Sequence, residues 1–265
     1  MLLLKLLLNL DTIQALTKAF EELQPQLVIH AAGLTSVEAC ESNPALAKYI
    51  NVDLTKNLVI ACAKLNIPMV YISTDHLFSG NQSLVGEDCP VSPINVYSRT
   101  KAEAEAYIQN AYPETLIIRT NFYAWGTSYR HSFSDMVINN LRAGKKISLF
   151  KDIYYTPMLI EPLVNLVHEL VHKKAKGVFN VVGDDRISKY DFGLRLAKAF
   201  NLDNGLIDEG KIIDKPSLVN RPYDMSLSNQ KVSNYLARKM GGLDEHILKL
   251  KAQEVNGLAK ELQAL

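Results

Sequence analysis

With 265 residues, 48% of them hydrophobic, the chain is long enough to enclose one large α/β core or two smaller ones. Its formal net charge of +1, without a block of consecutive Lys and Arg, excludes the electrostatic footprint of a nucleic-acid binder and the polybasic patch of a membrane-surface protein. No stretch reaches the ~18 apolar residues of a membrane span, which leaves a small molecule as the expected partner.

The opening MLLLKLLLNL has too short an apolar run for a secretory signal, and no small-residue cleavage site follows it. Asp11 and Gln14 are placed to serve as N-cap and N3 of a helix through Glu22, with Pro25 beyond its end. LVIHA (27–31), MVYIS (69–73), TLIIRT (115–120) and VFNVV (178–182) are short and rich in β-branched residues, as strands are. Between and after them, residues 53–65, 98–110, 132–143, 159–173 and 189–200 carry helical patterns, and a final amphipathic helix starts near Asp244. This alternation predicts a doubly wound α/β fold, a parallel sheet covered by helices, with ligands at the carboxyl ends of its strands. After Gly183 the strand signal thins, so residues 184–265 are expected to form a small, mainly helical lobe. Cys40, Cys62 and Cys89 stand apart, outside any CxxC pair; the odd count suits structural thiols in a reducing, cytoplasmic setting.

Three segments leave strand ends with small or hydroxylated residues: HAAGLT (30–35), STDHLF (73–78) and RTNFYAWG (119–126). The helix after the second begins NVYSRTKAEAEAY, where Tyr97 and Lys101, four apart, share one face. A second motif competes, because HELVH (168–172) satisfies HExxH, which can place two imidazoles on zinc. Yet Ile160, Leu163, Val164, Val167 and Val171 claim the buried stripe, leaving His168, Glu169 and His172 to solvent. No third ligand follows, and no metal is expected.

Six ordered segments, VIHAAGLTSVEACE, ISTDHLFSG, NVYSRTKAE, RTNFYAWG, ISKYDFGLRLAKAF and RPYDMSL, span nearly the whole chain. Together they resemble the extended short-chain dehydrogenase/reductase family, in its dTDP-4-dehydrorhamnose reductase branch. The resemblance implies a Rossmann-type dinucleotide-binding unit over residues 1–183 and a substrate-binding lobe over 184–265, with 122–145 contributing to the substrate cleft. It also implies NAD(P)H-dependent reduction of a 4-keto nucleotide sugar by the triad Thr74, Tyr97 and Lys101. A ketone accepting hydride needs a proton as its oxygen becomes an alkoxide, and Tyr97 is the implied donor. A phenol has a pKa of ~10, which a neighbouring ammonium lowers; Lys101 is expected to supply that charge and to bind the nicotinamide ribose. Thr74 is expected to hydrogen-bond the carbonyl oxygen. Gly33, Leu34 and Thr35 match further contacts to NADPH or NADH. Asp75 and Phe122 match substrate-facing positions, and Arg221 is expected at the diphosphate, where a forked guanidinium suits paired oxygens.

The same family includes epimerases, dehydratases and the non-catalytic regulatory subunit of methionine adenosyltransferase, which are the alternative functions. His30 stands where the family commonly has Asn, His76 where it often has Tyr, Ser98 where Gly is common and Phe122 where Trp is frequent, so the sugar is left open. The larger departure is at the start. The family's dinucleotide site has a glycine-rich GxxGxxG turn at a helix N-terminus, whereas the thirteen glycines here contain no GxG or GxxG spacing. An amino-terminal β-α-β of roughly 35 to 45 residues is expected before LVIHA; a displaced start, a truncation and a relative that gave up the cofactor each account for its absence. Sheet edges left unpaired are a route to a homo-oligomer, with leucine-rich residues 2–8 as their expected cover.

Overall fold

Four apolar segments of the chain line up side by side and set the architecture. The computed structural model describes residues 8–128 and 130–264; except for exposed Leu8, the expected edge cover of residues 2–8 lies outside them. Helix α1 (Ile13–Leu23) begins one residue later than expected. Thr12, in extended conformation, caps it by accepting from Ala15 N at 3.3 Å, because the Asp11 carboxylate is engaged by the Tyr49 hydroxyl. Strand β1 (Val28–His30) is followed by α2 (Val37–Ser42), α3 (Pro44–Lys48), a π-helical turn (Tyr49–Asp53), α4 (Leu54–Leu65) and β2 (Met69–Ile72). Next come α5 (Val96–Ala111), β3 (Leu116–Arg119), β4 (Phe122–Tyr123), α6 (Phe133–Arg142), β5 (Ile147–Phe150), β6 (Tyr154–Tyr155), β7 (Met158–Leu159), α7 (Ile160–His172) and β8 (Gly177–Asn180).

Strands β1, β2, β3 and β8 form a parallel sheet in that order. Successive side chains point to opposite faces. Tyr71 and Ile117 meet Leu16, Phe20, Leu58 and Ile108 from α1, α4 and α5. Their neighbours Val70 and Ile118 meet Leu163, Leu166 and Leu170 of α7. Helices on both faces of a parallel sheet make this a doubly wound, Rossmann-type fold. In α7 the stripe expected from the sequence is buried at Leu163 and Val167 and partly at Ile160 and Val171, but Val164 is 45% exposed, because the face turned to the sheet runs through Leu163, Leu166, Val167 and Leu170. His168 and His172 are exposed and Glu169 pairs with Arg238. Among the described residues no cluster of His, Cys, Asp and Glu has the geometry to hold a metal, and no helix is long and apolar enough to cross a membrane.

Beyond Gly183 the structure adds strands that the sequence pattern hides: β9 (Ile187–Ser188) and β10 (Ile207–Gly210), with helices α8 (Lys189–Ala199), α9 (Gln230–Leu236), α10 (Leu243–Val255) and α11 (Leu258–Gln263). They pair backwards along the chain, β9 antiparallel with β6 and β10 parallel with β5. Tyr123, Trp125, Ile138 and Tyr155 accordingly share one core with Phe192, Leu196 and Ile247, and Trp125 Nε1 donates to Leu250 O at 2.8 Å. Gly126 belongs to the same turn: a Cβ there would lie 2.3 Å from Arg130 O.

Helix α5 enters this frame with charge on its buried face. Glu105 and Arg119 of β3 are 2% and 3% exposed, and the guanidinium grips the carboxylate through Nη2 at 2.7 Å and Nε at 3.1 Å. Removing one partner of a buried pair leaves an uncompensated charge, which costs about 3–5 kcal/mol. Glu105→Ala should lower the unfolding free energy by about that amount in urea melts; a loss no larger than a surface substitution would show that Arg119 finds another acceptor.

Candidate active site

The carboxyl ends of β1, β2 and β3 and the first turns of α5 converge on one cleft. Asn95 starts α5 through a capping box with Ser98, accepting from Ser98 N at 2.9 Å while its own N–H donates to Ser98 Oγ at 3.1 Å. Asn95 Nδ2 also reaches Asn220 O at 2.9 Å, and Val96 N donates to Glu41 Oε2 at 3.0 Å. The start of α5 is therefore fixed before Tyr97 and Lys101 appear on its inner face, 7% and 6% exposed. Ser98, where the family commonly has Gly, has a local reason to be here: it completes the cap.

Thr74 follows β2; its Oγ1 accepts from His76 N at 3.3 Å, and its hydroxyl acts on the Tyr97 phenol to lower its pKa. It also donates to Asp75 Oδ1 at 3.3 Å. Asp75 is 1% exposed and its other oxygen accepts from Asn121 Nδ2 at 2.7 Å; burial raises its carboxyl above the usual range. Desolvation pushes the phenol up to about 12, against the opposing pull of the Thr74 hydroxyl. Asp75 and Cys40 raise it further and Arg130 lowers it. The expected lowering by Lys101 is not among the effects on the phenol. Lys101 instead donates to Ile72 O at 2.8 Å and lies 4.0 Å from the centre of the Tyr71 ring, and burial brings its amine down to about 8 against the opposing field of Glu105. The His76 ring meets Tyr97 edge-on at 5.6 Å between centres and is held neutral by desolvation.

The loop after β1 is pinned by a residue that the sequence did not single out. Asn51, 2% exposed in the π-helical turn, accepts from Leu34 N at 2.8 Å and donates to Leu34 O and Thr100 Oγ1, each at 3.0 Å. A Cβ on Gly33 would meet Asn51 Oδ1 at 3.0 Å, so glycine lets this clamp close. The predicted cofactor contacts Gly33, Leu34 and Thr35 thereby share a rigid edge with α5. His30 lies beneath, bonded to Thr55 Oγ1 at 2.9 Å and lowered by burial to about 4; a neutral ring hydrogen-bonds in the core there. Phe122, at the start of β4, is 50% exposed. Arg221 reaches the cleft with its guanidinium closed on Glu38, and Arg130 Nη2 crosses to Thr35 Oγ1 at 2.5 Å. Lys189, at the start of α8, joins them; burial lowers it to about 8 while Asp75 opposes the shift. No sequence pattern marked Asn51, Asn121, Arg130 or Lys189, because each acts through contacts distant in the chain.

For a nicotinamide cofactor the fit is one-sided. The glycine-bearing loop 33–35 and the Lys101 amine offer an edge and a donor to a nicotinamide riboside. The described residues contain no glycine-rich turn for the pyrophosphate.

A hydroxyl, a phenol and an amine gather at the strand ends of this doubly wound sheet, the arrangement that the resemblance to the extended short-chain dehydrogenase/reductase family leads one to expect. Residues 5–251 match the model of the RmlD substrate binding domain, and the chain belongs to that family. It is 28% identical over 243 residues to a probable low-salt glycan biosynthesis reductase of Haloferax volcanii, covering 90% of this chain and 81% of the relative. The β subunit of methionine adenosyltransferase 2 from Xenopus laevis is 25% identical, with coverage of 85% and 69%. The crystal structure of a dTDP-4-dehydrorhamnose reductase from Clostridium acetobutylicum superposes with a TM-score of 0.85 at 26% identity, covering 94% of this chain and 88% of that one.

Burying the amine of Lys101 has a measurable signature. Its pKa is about 8 in the fold against ~10.4 in the unfolded chain, so between those values the unfolded state binds more protons and stability rises with pH. The penalty is complete below about 8 and relieved toward ~10.4. Lys101→Met should thus be most favoured over the parent near neutral pH, and its advantage should shrink, or its deficit grow, as pH rises into that window. Urea melts at both ends of the window check the sign; a difference moving the other way contradicts the burial.

Proposed function

We propose that the chain reduces the 4-keto group of a nucleotide sugar of the dTDP-4-dehydrorhamnose kind. The observation that carries this reading is that Thr74, whose Oγ1 accepts from His76 N at 3.3 Å, and Tyr97, whose ring the His76 ring meets edge-on at 5.6 Å, stand together beyond the carboxyl end of β2, with Lys101 one turn further along α5. NADPH or NADH, when bound, supplies the hydride. Thr74 donates its hydroxyl hydrogen to the ketone oxygen and orients it beside the phenol. Tyr97, held at about 12, is fully protonated at neutral pH; it gives that proton to the alkoxide, a far stronger base than phenolate. Lys101 holds the ribose hydroxyls, and Asp75 and Phe122 face the sugar from the strand ends. Arg221 takes the diphosphate once its guanidinium leaves Glu38.

With dTDP-4-dehydrorhamnose and millimolar cofactor, Tyr97→Phe should lower turnover roughly 100-fold or more, and Thr74→Val likewise. Turnover in Tyr97→Phe near that of the parent would remove the phenol from the mechanism. A non-catalytic binding role is the second reading, supported by the similarity to the β subunit of methionine adenosyltransferase 2 and by the Arg221–Glu38 closure. It takes over if the nucleotide sugar binds and no reduction occurs.

Cofactor binding gives a separate test. With no glycine-rich turn among the described residues to offer backbone donors to the pyrophosphate, several charge-assisted hydrogen bonds of ~1.5 to 3 kcal/mol each are expected to be missing, so NADPH and NADH should scarcely bind the 265-residue chain at micromolar concentrations. Calorimetric titration reads this directly, and tight binding would reveal a phosphate site built from other residues of the chain.

A further inference from the structure

Four cations reach the cleft, and three of them already have acceptors. Lys101 donates to Ile72 O, Arg130 to Thr35 Oγ1 and Arg221 to Glu38. Lys189 differs: among the described residues its ammonium makes no hydrogen bond and no ion pair. The amine lies 3.4 Å from the centre of the Tyr155 ring and 4.7 Å from that of Phe133, and Tyr155 is itself 2% exposed. Aromatic faces attract a cation without satisfying its N–H groups.

Its position in the fold makes the arrangement less favourable still. Lys189 is the first residue of α8, capped by Ser188, which accepts from Asp191 N at 3.0 Å. A helix N-terminus carries positive potential, so a cation there is disfavoured. An amine held against the helix field, over two aromatic rings and with no protein acceptor among the described residues, is a feature that local stability does not explain. The opposing charge that acts on it is Asp75, whose Oδ2 accepts from Asn121 and whose Oδ1 accepts from the Thr74 hydroxyl. Lys189 and Asp75 sense each other's field without forming an ion pair.

We propose that Lys189 is a substrate-binding residue of the sugar subsite, its ammonium donating to one hydroxyl oxygen of the hexose while the Asp75 carboxylate accepts from a neighbouring hydroxyl. An ammonium and a carboxylate facing a common space present a donor and an acceptor with no net charge. That pairing suits a neutral polyol, whose hydroxyls both accept and donate, and disfavours a phosphate or uronate, which Asp75 repels. Lys189 therefore reads the sugar, and Arg221 remains the cation available to the diphosphate. The inference rests on the nucleotide-sugar reading above.

The test is calorimetric and needs no turnover. The full chain and Lys189→Met are titrated with dTDP-rhamnose and with dTDP, while thermal melts report stability. The parent should bind dTDP-rhamnose more tightly than dTDP. Lys189→Met should lose roughly 10- to 100-fold in affinity for the sugar nucleotide, the loss of one charge-assisted hydrogen bond, and stay within about twofold for dTDP. If Lys189→Met fails to fold, Lys189→Gln, which removes the charge and keeps a polar head group, answers the same question. Equal dTDP-rhamnose affinity in parent and variant overturns the assignment, as does an equal loss for both ligands. If the parent binds neither ligand, the nucleotide-sugar reading falls as well, and the parent titration alone shows it.

Discussion

Helix α5 buries a tyrosine, a lysine and a glutamate along one face, and each needs a partner that only the finished sheet provides. Glu105 is answered by Arg119 of β3, Lys101 by the carbonyl of Ile72 in β2, and Tyr97 by the edge-on ring of His76 just beyond that strand. Charge in a low-dielectric interior is tolerated only where geometry and hydrogen bonding are met together. The helix therefore has one acceptable depth and one acceptable rotation against β2 and β3. The cleft inherits that fixity: the Asn51 clamp ties the loop after β1 to Thr100 of the same helix, and the cap at Asn95 ties it to Asn220 near the end of the chain.

Burial also sorts the protonation states in the cleft. The phenol is moved up and kept loaded with its proton, His76 and His30 are kept neutral, and two amines are moved down to about 8. These shifts share one cause, desolvation, yet they act in opposite directions because the charged form is the base for a phenol and the acid for an amine. The phenol keeps its proton while both amines remain mostly cationic at neutral pH.

Much of the scaffold was legible in the chain. The four strands of the main sheet are found within two residues of where β-branched runs place them, and so are the long helices, because segments buried on both faces and stripes of period 3.6 leave strong patterns. The two-residue strands β4, β6, β7 and β9 leave none, since alternation has no meaning over two positions. Thr74, Tyr97 and Lys101 were visible through ordered segments, and the structure brings them into one cleft. Asn51 and Lys189 were not: an asparagine in a helical run and a lysine at a helix start look like ordinary solvated residues. What makes them notable is a loop backbone and two aromatic rings contributed from far along the chain. The Asp11 cap failed for the same reason, since the competing Tyr49 hydroxyl comes from another element.

The loop that leads into α5 carries a tie of a different kind. Leu84 N donates to Ser226 Oγ at 2.8 Å across a separation of 142 residues, Val85 N and O bond Ser226 O and Ser228 N, each at 2.9 Å, and Asn180 Nδ2 donates to both Val85 O and Ser228 O. A ribosome synthesises Thr74, Tyr97 and Lys101 well before it reaches Ser226. Loop closure over such a distance must wait for the distant segment, so the cleft takes its final form only when nearly the whole polypeptide has emerged. A nascent chain stalled after β8 would carry every residue of the triad and lack the strap that holds their entrance loop in place.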